Sequence, residues 1–191
     1  MVPIVLGRPS EETFRRIATE AKLLELSYDD VGMTTRPSTA MTSPFRFDRW
    51  NIDLGGDAET FEPACEALRT WQAHRGAGAR VFPDAPLAID ETVVVALGFP
   101  GFTAIAPCRI VWVIDDADNF GFGYGTLCGH PERGEESFVV RRRSGRVTFE
   151  IVAASRPAGL LPRIGAPVTR LIQKRMANRY LHALKRVATH S

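Results

Sequence analysis

The chain has no apolar run approaching the ~18 residues that a membrane helix requires. Its first residues, MVPIVLGRPSEETF, have no basic start and only a short apolar stretch. Neither a membrane span nor a secretory leader is expected, and the cytoplasm is the default location. Cysteine is scarce: Cys65, Cys108 and Cys128 are odd in number, far apart and without a C-x-x-C pair. That pattern argues against a zinc knuckle or a disulfide framework. Cys128 with His130 supplies only two metal-ligand types on a turn, where a tetrahedral site needs four, so no metal is expected. No G-x-G-x-x-G, G-x-x-x-x-G-K-[ST] or G-x-S-x-G occurs. Dinucleotide, triphosphate and nucleophile-elbow sites are therefore not expected, nor is any cofactor.

Acid is scarce in the tail. Residues 1–140 hold 12 Lys/Arg against 21 Asp/Glu, whereas residues 141–191 hold 12 against the single Glu150. A basic tail can meet an anionic partner or pack across the acidic part of its own domain. With 191 residues, 45% of them hydrophobic and 24% charged, the composition is that of an ordinary globular chain with one full core. Residues 1–44 are read as an N-terminal helix and irregular arm packed on a domain spanning 45–191. Nothing in the sequence specifies an oligomeric state.

Two periodicities divide the chain. Ser10 followed by Glu11 and Glu12 is a helix start, and Phe14, Ile17, Ala18, Ala21 and Leu24 repeat at helical spacing. Leu26 to Pro44 has little periodicity and reads as a surface arm. A strand is expected near Phe45–Leu54, then one helix from about Thr60 to Ala73 that buries Phe61, Ala64, Cys65, Leu68 and Trp71 or Gln72. Thereafter the period falls to 2, with strands over Arg80–Phe82, Glu91–Phe99, Cys108–Asp115, Phe120–Cys128, Glu135–Arg143 and Arg146–Ala154. Ser144-Gly145 joins the last two as a hairpin. The closing helix gathers Val168, Ile172, Met176, Tyr180, Leu184 and Val187 on one face. Lys174, Arg175, Asn178, Arg179, His182, Lys185 and Arg186 lie opposite.

Strands in succession imply an antiparallel meander, and the one long apolar helix must cover its apolar face. The fold class is therefore α+β, a curved antiparallel sheet of about six to seven strands gripping a C-terminal helix, with an added N-terminal helix. A cavity between sheet and helix suits a small apolar ligand.

In FGFGYGTLCGHPERGEESF the alternation puts Phe120, Phe122 and Tyr124 on one face and Gly121, Gly123 and Gly125 on the other. Glycine in a strand costs roughly 0.5–1 kcal/mol relative to alanine, so the bare face serves something other than local stability. Sharp bending of the sheet is the expected reason, with close approach of another element or a ligand as the alternative. His130, Pro131 and Gly134 suffice to make a turn. Alternatively, His130 acts as a general acid or base oriented by Glu135 or Glu136.

GFGYGTLCGHPERGEESF, with LSYDDVGMT, ALRTWQAHRGAGARVFP and ASRPAGLLPRIGAPVTRLIQKRMANRYLHAL, resembles domain-of-unknown-function family 1990. The resemblance runs from Leu26 to about Leu184, with Cys128 standing where proline is usual. It singles out the polar positions Tyr124, His130, Glu135, Glu136, Ser155 and Arg156. The element order from Arg109 onward is also similar to the START/Bet v 1-like helix-grip superfamily, which implies binding of lipids, polyketides or other apolar molecules, and in some members cyclase or hydratase chemistry.

Three readings follow. The first is a binding module whose ligand, lipid- or polyketide-like, meets Tyr124, His130, Arg156, Met176 and Tyr180. The second is a cavity enzyme of cyclase, hydratase or hydrolase type, using His130 with Glu135 or Glu136, with Tyr124 as a further candidate. The third is peripheral association with an anionic membrane through the basic helix face. Nucleic acid is disfavoured, because that face has no interleaved aromatics for stacking.

Overall fold

The computed structural model describes residues 4–36, 44–56, 59–83, 86–130, 132–158 and 166–189, with residues 166–169 described by their backbone. Residues 37–43 of the arm, Pro131, and the side chains of Pro167 and Val168 lie outside the described set. The elements in chain order are β1 (Ile4–Leu6), α1 (Glu11–Ala21), β2 (Arg46–Gly56), α2 (Phe61–Arg69), α3 (Gln72–Gly76), β3 (Ala79–Phe82), β4 (Thr92–Phe99), β5 (Phe102–Asp115), β6 (Asn119–Thr126), β7 (Glu132–Arg143), β8 (Arg146–Pro157) and α4 (Ala166–Ala188).

The architecture is α+β. One antiparallel sheet runs in the order β2-β8-β7-β6-β5-β4-β3, and β1 adds to β5. The first long strand, β2, pairs with the last, β8, from Arg46↔Ser155 onward. Helices α2 and α3 connect β2 to the far edge at β3. The strand β1 was not expected, since three residues are too few to show a period; it is held by backbone pairing of Ile4 with Ala104 while Leu6 stays exposed. β5 starts at Phe102, six residues before the expected Cys108, and runs through Pro107, which lacks the amide donor that a strand residue ordinarily supplies. That residue sits where β6 is ending, and its carbonyl accepts from the Leu127 amide at 3.2 Å.

The sheet is covered on both faces. On the inner face α2, α3 and α4 close over Ile110, Phe122, Phe138, Phe149 and Ile151, all fully buried. On the outer face α1 sets Phe14, Ile17 and Ala18 against Val94, Ala96 and Ile105. Farther along, Tyr28 and Met33 of the arm pack on Ala154. The Ser10 hydroxyl caps α1 by accepting from the Thr13 amide, as its sequence position implies.

The single helix expected over Thr60–Ala73 is two short ones. Trp71 between them has φ 61°, a left-handed conformation that costs a non-glycine residue roughly 1–2 kcal/mol. The reversal drives its indole into the core, edge-on to Phe122 and His74 at 5.0 Å from each, and burial of a large aromatic exceeds that cost. Helical periodicity carries no sign of such a break, because both halves keep the same apolar stripe.

Candidate functional site

A cavity of about 170 Å³ lies between the inner face of the sheet and α4. Val95 and Leu97 of β4, Ala106 and Cys108 of β5, Ala153 of β8, and Ile172 and Met176 of α4 form apolar wall. Its polar residues are Tyr124 and Thr126 of β6, Glu132, Glu135 and Glu136 of β7, Ser155 of β8, Gln173 and Tyr180 of α4, and His130 in the β6–β7 turn, although the Glu135 carboxylate is engaged by the arm. Period-2 alternation puts Glu132, Gly134 and Glu136 on one face of β7. The carboxylates of Arg133's neighbour and of Glu135 are thereby separated across the sheet.

Glu136 and Tyr124 are directly paired across β6 and β7, and the tyrosine hydroxyl donates to the Glu136 carboxylate at 2.8 Å. Behind Tyr124, His74 Nε2 lies 3.5 Å from the same hydroxyl. His74 is fully buried among the rings of Trp71, Phe122, Phe138 and Tyr180, and its Nδ1 has no hydrogen-bond partner among the described residues. Burial pushes its imidazole down to about 3, so the ring is neutral. Glu132 accepts from the Gln173 amide, which also reaches Ser155 Oγ at 3.4 Å.

Burial raises Glu136 to about 7, with the Tyr124 hydrogen bond opposing the rise. It raises Glu132 to about 7 as well, and the charge of Glu136 adds to the effect. Neither carboxylate has a Lys or Arg within ion-pair reach among the described residues. Burial also carries the Tyr124 and Tyr180 hydroxyls far above their ordinary range, so both remain protonated donors.

The structure separates the candidates that the sequence grouped. Tyr124, His130, Glu136, Met176 and Tyr180 meet at the cavity. His130 does not pair with Glu135 or Glu136. Its Nδ1 lies 3.1 Å from the amide nitrogen and 3.0 Å from the carbonyl oxygen of Glu132, within its own turn, and burial pushes it down to about 4. Arg156 stands on the outer face, its guanidinium 4.8 Å over the Phe45 ring, because Ser155 takes the inward position of that strand.

Glu135 is an anchor for the arm. Its carboxylate accepts from Tyr28 Oη at 2.9 Å, Gly32 N at 2.8 Å, Thr34 N at 3.1 Å and Trp112 Nε1 at 3.0 Å, and from the Thr34 hydroxyl. Trp112 reaches it through a β-bulge: the register passes from Ile110↔Tyr124 to Trp112↔Gly123, so the extra residue Val111 turns the indole to the outer face.

This packing accounts for the glycine strand. A Cβ on Gly123 would lie 2.3 Å from Trp112 Nε1, and one on Gly125 would lie 2.3 Å from Tyr28 Oη. At Gly123 and Gly125 close approach of neighbouring elements, the alternative reading, requires the bare face, whereas a Cβ on Gly121 would lie 2.3 Å from the Phe138 carbonyl oxygen of the paired strand β7.

Glu132, Gln173, His74 and Ala153 were not singled out from the sequence. Glu132 had a readable signal, since continuing the β7 alternation back from Glu136 reaches it, but Pro131 and Gly134 masked the strand start. Among the described residues no group of three or more His, Cys, Asp or Glu could hold a metal ion, and no helix is long and apolar enough to cross a membrane. On the basic face of α4, Lys185 Nζ donates to the Asp53 carbonyl at 2.9 Å and Arg186 to that of Gly76 at 3.4 Å. Arg175 and Arg179 line a second groove, of about 510 Å³, which shares Leu97, Ile172 and Met176 with the cavity.

Residues 27–183 match the sequence model of the family described as Domain of unknown function (DUF1990). A UPF0548 protein of Deinococcus radiodurans is 38% identical over 155 residues, covering 75% of this chain and 78% of that one. Among solved structures, hypothetical protein jhp0584 from Helicobacter pylori is similar with a TM-score of 0.58 at 10% identity, over 87% of this chain and 99% of that one. Ara h 8.0201 is similar with a TM-score of 0.51 at 10% identity, over 77% of this chain and 99% of that one. At such identities the likeness is one of fold, and the fold is the START/Bet v 1-like helix grip.

Proposed function

The chain belongs to the DUF1990 family, and from that premise we propose that it is a binding protein enclosing one small amphipathic molecule between its sheet and α4. The observation carrying this reading is the cavity itself, apolar along most of its wall and polar where Tyr124, Glu136, Glu132 and Gln173 converge. That combination of apolar wall and a few placed polar groups is characteristic of small-molecule sites. Size narrows the reading. About 170 Å³ is below the ~300–1,000 Å³ of drug-sized pockets, and close to the ~150 Å³ that accommodates a benzene-sized guest. A lipid or polyketide chain would extend beyond it, past Met176 and Ile172 toward the adjoining groove. Three free thiols, two of them buried, suit a reducing compartment such as the cytoplasm.

Protein-observed NMR titration with benzyl alcohol tests the reading. Resonances of Ala153, Met176, Tyr124 and Tyr180 should shift together, and Ala153→Phe, which fills the cavity, should abolish those shifts while the remaining spectrum stays folded. Absence of shifts at these residues, or equal shifts in the filled variant, would rule it out.

A second reading, acid–base catalysis, has one observation in its favour: two carboxyls raised to about 7 line a single cavity beside a tyrosine hydroxyl. It rests on Glu132, Glu136 and Tyr124, since His130 and Glu135 are otherwise engaged. A pH profile of turnover that loses its carboxylate limb in Glu136→Gln would support it.

A further inference from the structure

Two adjacent carboxylates, Glu135 buried and Glu136 half-buried, are satisfied very differently. Glu135 accepts from five donors of the arm and β5, which saturates the roughly four lone-pair sites of a carboxylate. Glu136, on the cavity side, accepts from Tyr124 alone among the described residues. The groups facing it supply little else. Cys108 of β5 and Tyr180 of α4 are neutral, Glu132 of β7 carries the same sign, and His130 in the turn is held neutral by burial. His74 lies behind Tyr124. Asp48 adds negative potential at Glu132. The cations Arg175 and Arg179 line the adjoining groove, across Ile172 and Met176 from the cavity, and are not among the residues that line the cavity itself. An under-satisfied acceptor facing a largely apolar cavity that also carries Tyr124 and Tyr180 calls for a donor that arrives with the ligand.

We propose that the cavity selects a small primary amine bearing one apolar group, its ammonium received by Glu136 and its apolar part set against Tyr180, Met176 and Ala153. This rests on the binding reading above and adds the charge of the ligand to it. Four residues along β7 from Glu136, or about 13 Å of strand, Glu132 adds a second carboxyl to the same cavity. Because Glu136 is raised to about 7, a bound cation would displace its proton, and affinity for an amine should rise with pH through that value.

Titrations with benzylamine, benzyl alcohol and benzoate, followed by NMR at about pH 5.5 and about pH 8, test the proposal. Benzylamine should bind at least about tenfold more tightly than benzyl alcohol at the higher pH, and that advantage should fall about tenfold at the lower one. Glu136→Gln should remove the advantage at both values. Where that variant fails to fold, the pH dependence of the native protein decides. Benzyl alcohol or benzoate binding as tightly as benzylamine, or an amine preference indifferent to pH, overturns the cation assignment while leaving the cavity reading intact. If none of the three shifts the cavity resonances, both fall.

Discussion

Glu135 and Glu136 are neighbours in the chain and opposites in the fold: one carboxylate fastens the N-terminal arm to the outer face of the sheet, and the other looks into the cavity beneath α4. The pleat separates them. A one-residue slip of β7 would exchange a structural anion for a functional one, and the five donors on Glu135 oppose that slip.

Glu135→Ala should release the arm. It strands the Tyr28 hydroxyl, two backbone amides and the Trp112 indole without their acceptor, at a cost of roughly 3–5 kcal/mol. Urea unfolding measures the loss, and limited proteolysis should cut within residues 26–36 well before the sheet. Wild-type resistance at that segment would contradict the anchoring role.

Gly123→Ala sets two effects against each other. Replacing a strand glycine should gain roughly 0.5–1 kcal/mol, but the new methyl meets the Trp112 indole at 2.3 Å, and overpacking costs typically ~1–3 kcal/mol. Net destabilisation is expected by chemical denaturation. Adding Trp112→Ala should shrink that penalty, since the clash is with this ring; additive losses would show that the glycine serves another purpose.

Stability should depend on Glu136 in a defined direction. Its folded value is raised from 4.5 to about 7, so between those values the native state holds a proton that the unfolded state has lost, and stability falls as pH rises. Glu136→Gln keeps an acceptor for Tyr124 and carries no charge. Relative to wild type it should gain about 2 kcal/mol between about pH 5.5 and about pH 8, read from paired urea curves. A pH-independent difference would mean that the carboxyl is not desolvated.

His74 acts in the opposite direction. Its value is lowered from 6.5 to about 3, so in that window the unfolded state binds the extra proton and stability falls as pH drops. His74→Phe, which fits a cage already built of rings, should lose about 2 kcal/mol less than wild type on acidification from about pH 7 to about pH 5. Equal acid sensitivity in the two proteins would show that His74 is hydrated in the folded state.

Local pattern determined most of the architecture. The switch from a period of 3.6 to one of 2 announced a meander, and the apolar stripe Ile172, Met176, Tyr180, Leu184 identified the helix that it grips, because burial of a periodic face is a property of the segment itself. Capping at Ser10 and the Ser144-Gly145 hairpin are equally local. Tertiary structure decided what depends on partners distant in sequence. A single extra residue, Val111, inverts the facing of Trp112, and no composition signal distinguishes a bulge from a continuous strand. Trp71 adopts a left-handed conformation only because a core pocket awaits its ring. The glycines at 123 and 125 are required by side chains far away in the chain, Tyr28 among them. Which of two consecutive glutamates binds the arm and which faces the cavity follows from the register of β7 between β6 and β8. That register is set by the whole sheet rather than by the residues that carry the charges.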